Sequence, residues 1–179
     1  SPDKDLESAA LALCRGALAL LALPWLAAPA AASLPWMLAS VAVHVLYFWA
    51  LAGAYRFGDL SFTYPIMRGG APVLVTLVGV AVLGEVLAWR QAAALALICV
   101  GIIAFAGRPS GAAAPARQAL LFALGNALVI ACYTLIDAQG VRISGSAAGY
   151  AIWLMLANSV VQAAIGLAAR GRAVTAYTT

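Results

Sequence analysis

Charged side chains are scarce in this sequence. Asp, Glu, Lys and Arg make up 9% of its 179 residues, whereas 65% of the residues are hydrophobic. Soluble domains contain about 25% charged and 45–50% apolar residues, and a small chain has too little interior to bury such an excess of apolar surface. The composition therefore excludes an ordinary water-soluble domain and favours a chain whose surface lies in hydrocarbon.

Histidine and cysteine are also scarce. The sequence has one His and three Cys, and Cys14, Cys99 and Cys132 lie in separate apolar runs without a C-x-x-C spacing. This pattern predicts neither a disulfide framework nor a zinc site. The motifs H-E-x-x-H, G-x-S-x-G and the P-loop are missing too. We therefore predict a protein that is not an enzyme and that needs no metal and no cofactor.

The positive charges are not clustered. The net charge is +4, but the ten Lys and Arg residues stand singly between hydrophobic runs. A nucleic-acid surface needs a basic patch or stripe, whereas isolated basic residues between apolar runs are typical of the loops of membrane proteins. The predicted partner is the lipid bilayer, with no nucleic acid, and the pattern says nothing about the oligomeric state.

What the sequence does contain is a series of long apolar runs. About 20 apolar residues, at about 1.5 Å of rise each, cross the roughly 30 Å hydrocarbon core of a bilayer. The short connections contain Gly, Pro and Ser, so consecutive spans should be antiparallel neighbours. The predicted fold is an all-α, polytopic transmembrane bundle. Its six predicted spans are 8–28, 35–55, 63–84, 88–107, 117–138 and 148–169.

The third span contains an arginine among helix-breaking residues. Arg68 follows Tyr64 by one turn, and two prolines and the pair Gly69–Gly70 surround it. An interior proline frees a backbone carbonyl, so we predict a kinked helix. A charge within the bilayer costs about 2.5–3.5 kcal/mol on insertion scales and is a functional candidate. One interpretation is a guanidinium exposed to a polar cavity.

The alternative for Arg68 is structural. An arginine near the start of a helix extends its charged end to the interface or pairs with a carboxylate, here Asp59 or Glu85. Both interpretations stay open from the residues alone.

Two further spans carry polar side chains on one face. In the second, His44, Tyr47, Leu51 and Tyr55 recur at helical spacing, which suits either aromatic packing or a proton relay through the histidine.

In the fifth span, Asn126, Ile130, Tyr133 and Asp137 share a face. We expect Asp137 to be solvated near the helix end. Asn126 and Tyr133 either line a cavity or form interhelical hydrogen bonds.

Two other positions complete the polar inventory. Tyr150, Trp153 and Asn158 of the sixth span are expected to join helices through hydrogen bonds. Arg15 in the first span needs a partner or a path to water, and its role stays open. The candidate residues for a substrate path are Arg68, Tyr64, His44, Tyr47, Asn126 and Tyr133.

Residues 44–107 resemble a known repeat. The run from HVLYFWALAGAY to CVGIIAFAG is similar to the first EamA repeat of the drug/metabolite transporter superfamily. The residues that carry the resemblance are Tyr55, Gly58, Leu60, Ser61, Tyr64, Pro65, Arg68, Gly69, Pro72, Glu85 and Gly101.

The resemblance implies two five-helix repeats in inverted topology, ten spans in all, with substrate bound between the halves. The chain would then be a piece of a longer protein. Residues 1–107 would be the first repeat without its first helix, 108–116 the linker, and 117–179 the start of the second repeat. The resemblance also implies that Tyr64, Arg68 and the polar face of the second span lie near a central cavity.

The predicted function is alternating-access transport of small polar metabolites, such as amino acids or amines. The alternative is a noncatalytic scaffold or assembly subunit whose polar residues only hold helices together. An Ala- and Arg-rich chain suits the bacterial inner membrane. Orientation stays open, because the positive-inside rule and the family plan place the same loops on opposite sides.

Overall fold

The structure, a computed structural model, describes residues 2–84, 86–106 and 117–178, which form helices and turns without a strand. The predicted all-α fold is confirmed. The six α-helices of this described part are α1 (Pro2–Ala22), α2 (Leu34–Phe57), α3 (Leu60–Leu83), α4 (Trp89–Ala106), α5 (Arg117–Ser144) and α6 (Ala147–Thr178). The predicted linker, 108–116, lies outside the described residues.

Four of these helices are long and apolar enough to cross a membrane. Among the described residues the qualifying stretches are Ala31–Phe57, Leu60–Val82, Arg117–Ser144 and Ala147–Gly166. The helices at the first and fourth predicted spans contain shorter described apolar stretches, Ala10–Trp25 and Trp89–Ile102. Each of the six predicted spans overlaps one helix.

The side chains are distributed as lipid solvation requires. Alanine dominates the buried hydrophobic residues, whereas large side chains such as Leu38, Trp49 and Leu97, each about 70% exposed, cover the surface. In lipid, apolar side chains gain nothing by leaving the solvent, and helices associate through small residues instead. The fold is that of a multi-pass helical membrane protein.

The chain divides into two compact units, 1–42 with 136–179, and 43–135. In the first unit α1 packs along α6. Ala12, Gly16 and Ala19 form a buried stripe on α1, and a Cβ on Gly16 would stand 3.3 Å from Ser159 Cβ. Small residues thus allow these two helices a close approach.

Arg15 has a partner within this unit that the sequence did not reveal. Its Nη2 donates a hydrogen bond to Oε1 of Gln162 on α6 at 2.5 Å. The contact joins an arginine of the first predicted span to a neutral amide, so the pair keeps its full positive charge. We assign Arg15 to the association of α1 with α6.

We expect Gln162→Leu to lower the thermal stability of the protein in detergent, because it leaves the Arg15 guanidinium without this acceptor. In a double-mutant cycle with Arg15→Leu the coupling should be about 0.6 kcal/mol, the average for hydrogen bonds between transmembrane helices, and at most about 1.7 kcal/mol. Gln118→Leu, the same change at an exposed position of α5, is the control and should leave stability unchanged. Equal losses from Gln162→Leu with and without Arg15 would contradict the pairing.

The predicted ends of the first and fifth spans were wrong. α1 ends at Ala22 and gives way to the 3₁₀ turn Leu23–Trp25, because Pro24 lacks the N–H that would continue the α-helical hydrogen bonds. α5 continues six residues beyond 138, to Ser144, and Gly145 then turns the chain with φ 72°. Only glycine adopts that left-handed conformation at low cost.

The longer α5 changes the environment of Asp137. This residue lies two turns before the end of the helix, half-buried, and its Oδ1 accepts a hydrogen bond from the Tyr150 hydroxyl at 3.1 Å. Tyr150 is fully buried, and its ring lies against Gly140. The prediction of a solvated Asp137 at a helix end was therefore wrong, whereas Tyr150 does join two helices, as predicted.

The second unit has its core where α2, α3 and α5 meet. The buried members of this core are Ala54, Ile66, Met67, Ala71, Ala123 and Ile130. Larger partly buried side chains, including Tyr47, Leu51 and Tyr133, pack against it. The polar faces predicted for the second and fifth spans thus lie beside one core.

The third span forms one α-helix, and the kink at its prolines stays a prediction. α3 runs without interruption from Leu60 to Leu83 with both Pro65 and Pro72 inside it, and ends at Gly84. A proline has no N–H to donate to the carbonyl oxygen four residues earlier. The carbonyl of Arg68 therefore receives no hydrogen bond from Pro72. Packing against α4 and the core maintains the helix through these positions.

Candidate functional site

Arg68 lies among aromatic side chains in the unit 43–135. Its Nη2 donates to the Tyr47 hydroxyl at 3.4 Å, a long hydrogen bond. The guanidinium carbon is 6.0 Å from the centre of the Tyr47 ring and 5.9 Å from that of Tyr64. Both distances lie in the range of cation–π interactions.

The histidine joins the same group of rings. His44 stacks on Tyr133 with ring centres 4.2 Å apart, and its centre is 6.3 Å from that of Tyr47. Tyr133 meets Tyr47 edge to face at 6.0 Å. We call Arg68, Tyr64, Tyr47, His44 and Tyr133 the Arg68 cluster. Five of the six candidates from the sequence therefore come together.

The position of Arg68 along α3 bears on Asp59, one of the two carboxylates that the sequence left open as its partner. Arg68 is eight residues after Leu60, which places it about 12 Å along the helix axis. Asp59 precedes the helix, where its carbonyl oxygen accepts from the backbone N–H and the hydroxyl of Thr63. Arg68 is nine residues after Asp59, and its described side-chain hydrogen bond goes to the Tyr47 hydroxyl and not to Asp59. Glu85 lies outside the described residues.

Asn126 has a different environment from the cluster. It is fully buried, and its Nδ2 donates to the sulfur of Met67 at 3.0 Å. A thioether is a weak acceptor. The Asn126 Oδ1 is buried without a hydrogen-bond partner among the described residues. The amide nitrogen thus links α5 to α3, one of the two roles the sequence left open, while the oxygen stays unsatisfied.

The sequence did not single out Phe122, which organises the other side of this unit. Its ring meets Trp49 at 5.5 Å and stacks on Phe57 at 5.6 Å. Gly53 provides the space, because a Cβ there would collide with the Phe122 ring. The signal in the sequence was Gly53, which has an aromatic residue one helical turn away on each side, Trp49 and Phe57.

An open cleft of about 460 Å³ lies elsewhere, at the end of α3 and the following turn. Its polar lining groups include Thr76 and Gln91. Thr76 donates to the Pro72 carbonyl, and Gln91 accepts from the backbone of Ala88. Because these groups already bond to backbone, the cleft is a weaker candidate for a ligand site than the Arg68 cluster.

Metal ligands do not assemble in the part of the chain that the structure describes, where no group of three His, Cys, Asp or Glu side chains could hold an ion. Comparison with protein-family models gave no match, and comparisons with curated proteins and with solved structures gave none either. The resemblance to an EamA repeat stays a prediction.

Proposed function

We propose that this chain is part of a transporter that carries small polar metabolites, such as amino acids or amines, by alternating access. The proposal includes membership of the EamA-type carriers of the drug/metabolite transporter superfamily, with repeats divided as the sequence predicts. It also includes a location in the cell membrane, with a bacterial inner membrane as the expected one. Its partners are the lipid bilayer and a small-molecule substrate.

One observation carries the proposal. Arg68 holds a permanent positive charge about 12 Å along an apolar helix, and its contacts there are the neutral groups of Tyr47 and Tyr64. A charge inside a membrane-spanning segment is costly and is retained where a solute or ion path needs it. The neighbouring His44 and Tyr133 extend the polar surface across α2 and α5.

The test is solute flux in proteoliposomes loaded with a panel of labelled amino acids, amines and organic acids. We expect Arg68→Ala to reduce flux at least tenfold while the protein content of the membranes stays the same, because the variant loses the charge but keeps the packing of small residues around it. Arg90→Ala is the matched control. Arg90 lies over the exposed ring of Trp89 at the start of α4, so flux should persist. Equal flux in both variants would remove Arg68 from the mechanism.

A noncatalytic scaffold is the second candidate, and the polar contacts that join helices favour it. Arg15 with Gln162, and Asn126 with Met67, each link two helices without a solute. Single cysteines at positions 64–73, in a variant lacking the native ones, separate the two functions. A transporter should show a periodic face that reacts with a membrane-impermeant thiol reagent, including position 68. Uniform protection together with no flux would favour the scaffold.

A further inference from the structure

We infer that the Arg68 cluster binds an oxyanion, a carboxylate or phosphate group, and that Arg68 is its counter-ion. This inference rests on the proposed function and narrows the substrate class from polar metabolites to those that carry an anionic group.

The unit that contains Arg68 has few acidic residues. The segment 43–135 has two acidic residues in its sequence, Asp59 and Glu85. Asp59 lies before the start of α3, more than two helical turns from Arg68, and the described hydrogen bond of Arg68 goes to Tyr47 instead. The aromatic contacts of Arg68 weaken its field without cancelling its charge. Arg68 is the one member of the Arg68 cluster with a permanent charge, so the charge of the cluster itself is positive.

Arg68 has more hydrogen-bond donors than its contacts with the described residues use. A guanidinium has five N–H groups in a planar fork that matches the two oxygens of a carboxylate or phosphate. Within the described residues Arg68 directs one nitrogen, Nη2, to the Tyr47 hydroxyl. Arg68 is itself exposed, and Tyr64 is half-exposed beside it. The rest of the fork can therefore meet an oxyanion.

A cationic ligand does not suit this place. Aromatic rings bind ammonium groups across their faces, but here the ring faces of Tyr47 and Tyr64 already lie against the Arg68 guanidinium. An amine brought to the same rings would be repelled by the positive charge of Arg68. An amino acid can still bind, through its carboxylate.

The oxyanion could come from a dissolved solute or from the headgroup of an anionic lipid, and both present the same chemistry to Arg68. The experiment therefore uses the protein in nanodiscs of two compositions, phosphatidylcholine alone and phosphatidylcholine with phosphatidylglycerol. The probes are benzoate, benzamide and benzylamine, which have similar size and differ in charge. Binding is measured by isothermal titration calorimetry in phosphate-free buffer.

In phosphatidylcholine we expect benzoate to bind at least tenfold more tightly than benzamide, with benzylamine weakest. Arg68→Gln should abolish the preference for benzoate. Arg68→Lys should keep part of this preference, since the charge remains but the planar guanidinium fork is lost. Arg68→Lys is the test variant if Arg68→Gln fails to fold. Arg90→Gln should behave like the parent. Loss of benzoate binding when phosphatidylglycerol is present would identify a lipid headgroup as the oxyanion, and unchanged binding would identify a solute.

Equal binding of benzoate and benzamide, tightest binding of benzylamine, or a benzoate preference that survives in Arg68→Gln would overturn the inference. The binding assay is independent of transport. Arg68-dependent benzoate binding without flux of any solute would refute the transporter and keep the oxyanion site. Flux that depends on Arg68, without any preference for benzoate, would refute the oxyanion site and keep the transporter.

Discussion

Gly149→Ala should destabilise the protein by about 3 kcal/mol, the upper part of the usual range for overpacking. Gly149 lies in the first turn of α6, and the backbone of Ala27 crosses it so closely that a Cβ would collide with the Ala27 carbonyl oxygen. The same Cβ would stand 2.9 Å from Ser146 Oγ, which accepts the Gly149 N–H in capping α6. The neighbouring backbone must therefore move and the cap weakens.

The melting temperature in detergent is measured by fluorescence-detected size-exclusion chromatography. Gly125→Ala in α5 is the matched control, because a Cβ there meets nothing within 4 Å. It should leave stability unchanged or raise it by up to about 1 kcal/mol through helix propensity. A Gly149→Ala protein as stable as Gly125→Ala would show that the segment around Ala27 does not rest on α6.

Asn126→Asp should prevent folding or cost several kcal/mol, whereas Asn126→Leu should be tolerated. The aspartate would place a carboxylate in a fully buried site beside the Met67 thioether, and an unpaired buried charge costs several kcal/mol. Leucine has a similar size and removes both the hydrogen bond to sulfur and the unsatisfied Oδ1. Replacing such a group by an apolar one is nearly neutral or stabilising.

Thermal stability and expression of both variants decide this prediction. A leucine variant as damaged as the aspartate variant would mean that the Asn126 oxygen has a stabilising partner in the folded protein. The flux assay adds a functional result. A stable Asn126→Leu protein without flux would place Asn126 on the substrate path, and one with full flux would limit it to helix association.

Much of the fold could be predicted because the bilayer constrains it. Helices are the way for these apolar runs to satisfy their backbone hydrogen bonds in lipid, so run length alone placed six helices. The ends were less certain. Residues 139–144 contain Gly, Arg and Ser and were predicted to form a loop, yet they continue α5 up to Gly145. A polar segment can be helical where neighbouring groups form hydrogen bonds with its side chains.

The candidate site was predicted in part for the same reason. Helical periodicity places His44 and Tyr47 on one face of α2, and Asn126 and Tyr133 on one face of α5. Periodicity does not say which faces meet. That Tyr133 stacks on His44, while Asn126 turns to Met67, depends on the packing of α2, α3 and α5 around small residues.

The sequence by itself therefore determined the membrane class, the number and approximate position of the helices, and the few polar side chains that enter apolar segments. Those properties follow from composition and from the cost of burying polar groups in hydrocarbon. The tertiary structure decided the partners. It brought Gln162 to Arg15, Tyr150 to Asp137, and two tyrosine rings to Arg68, because contacts between residues distant in sequence depend on how helices pack and not on any local pattern.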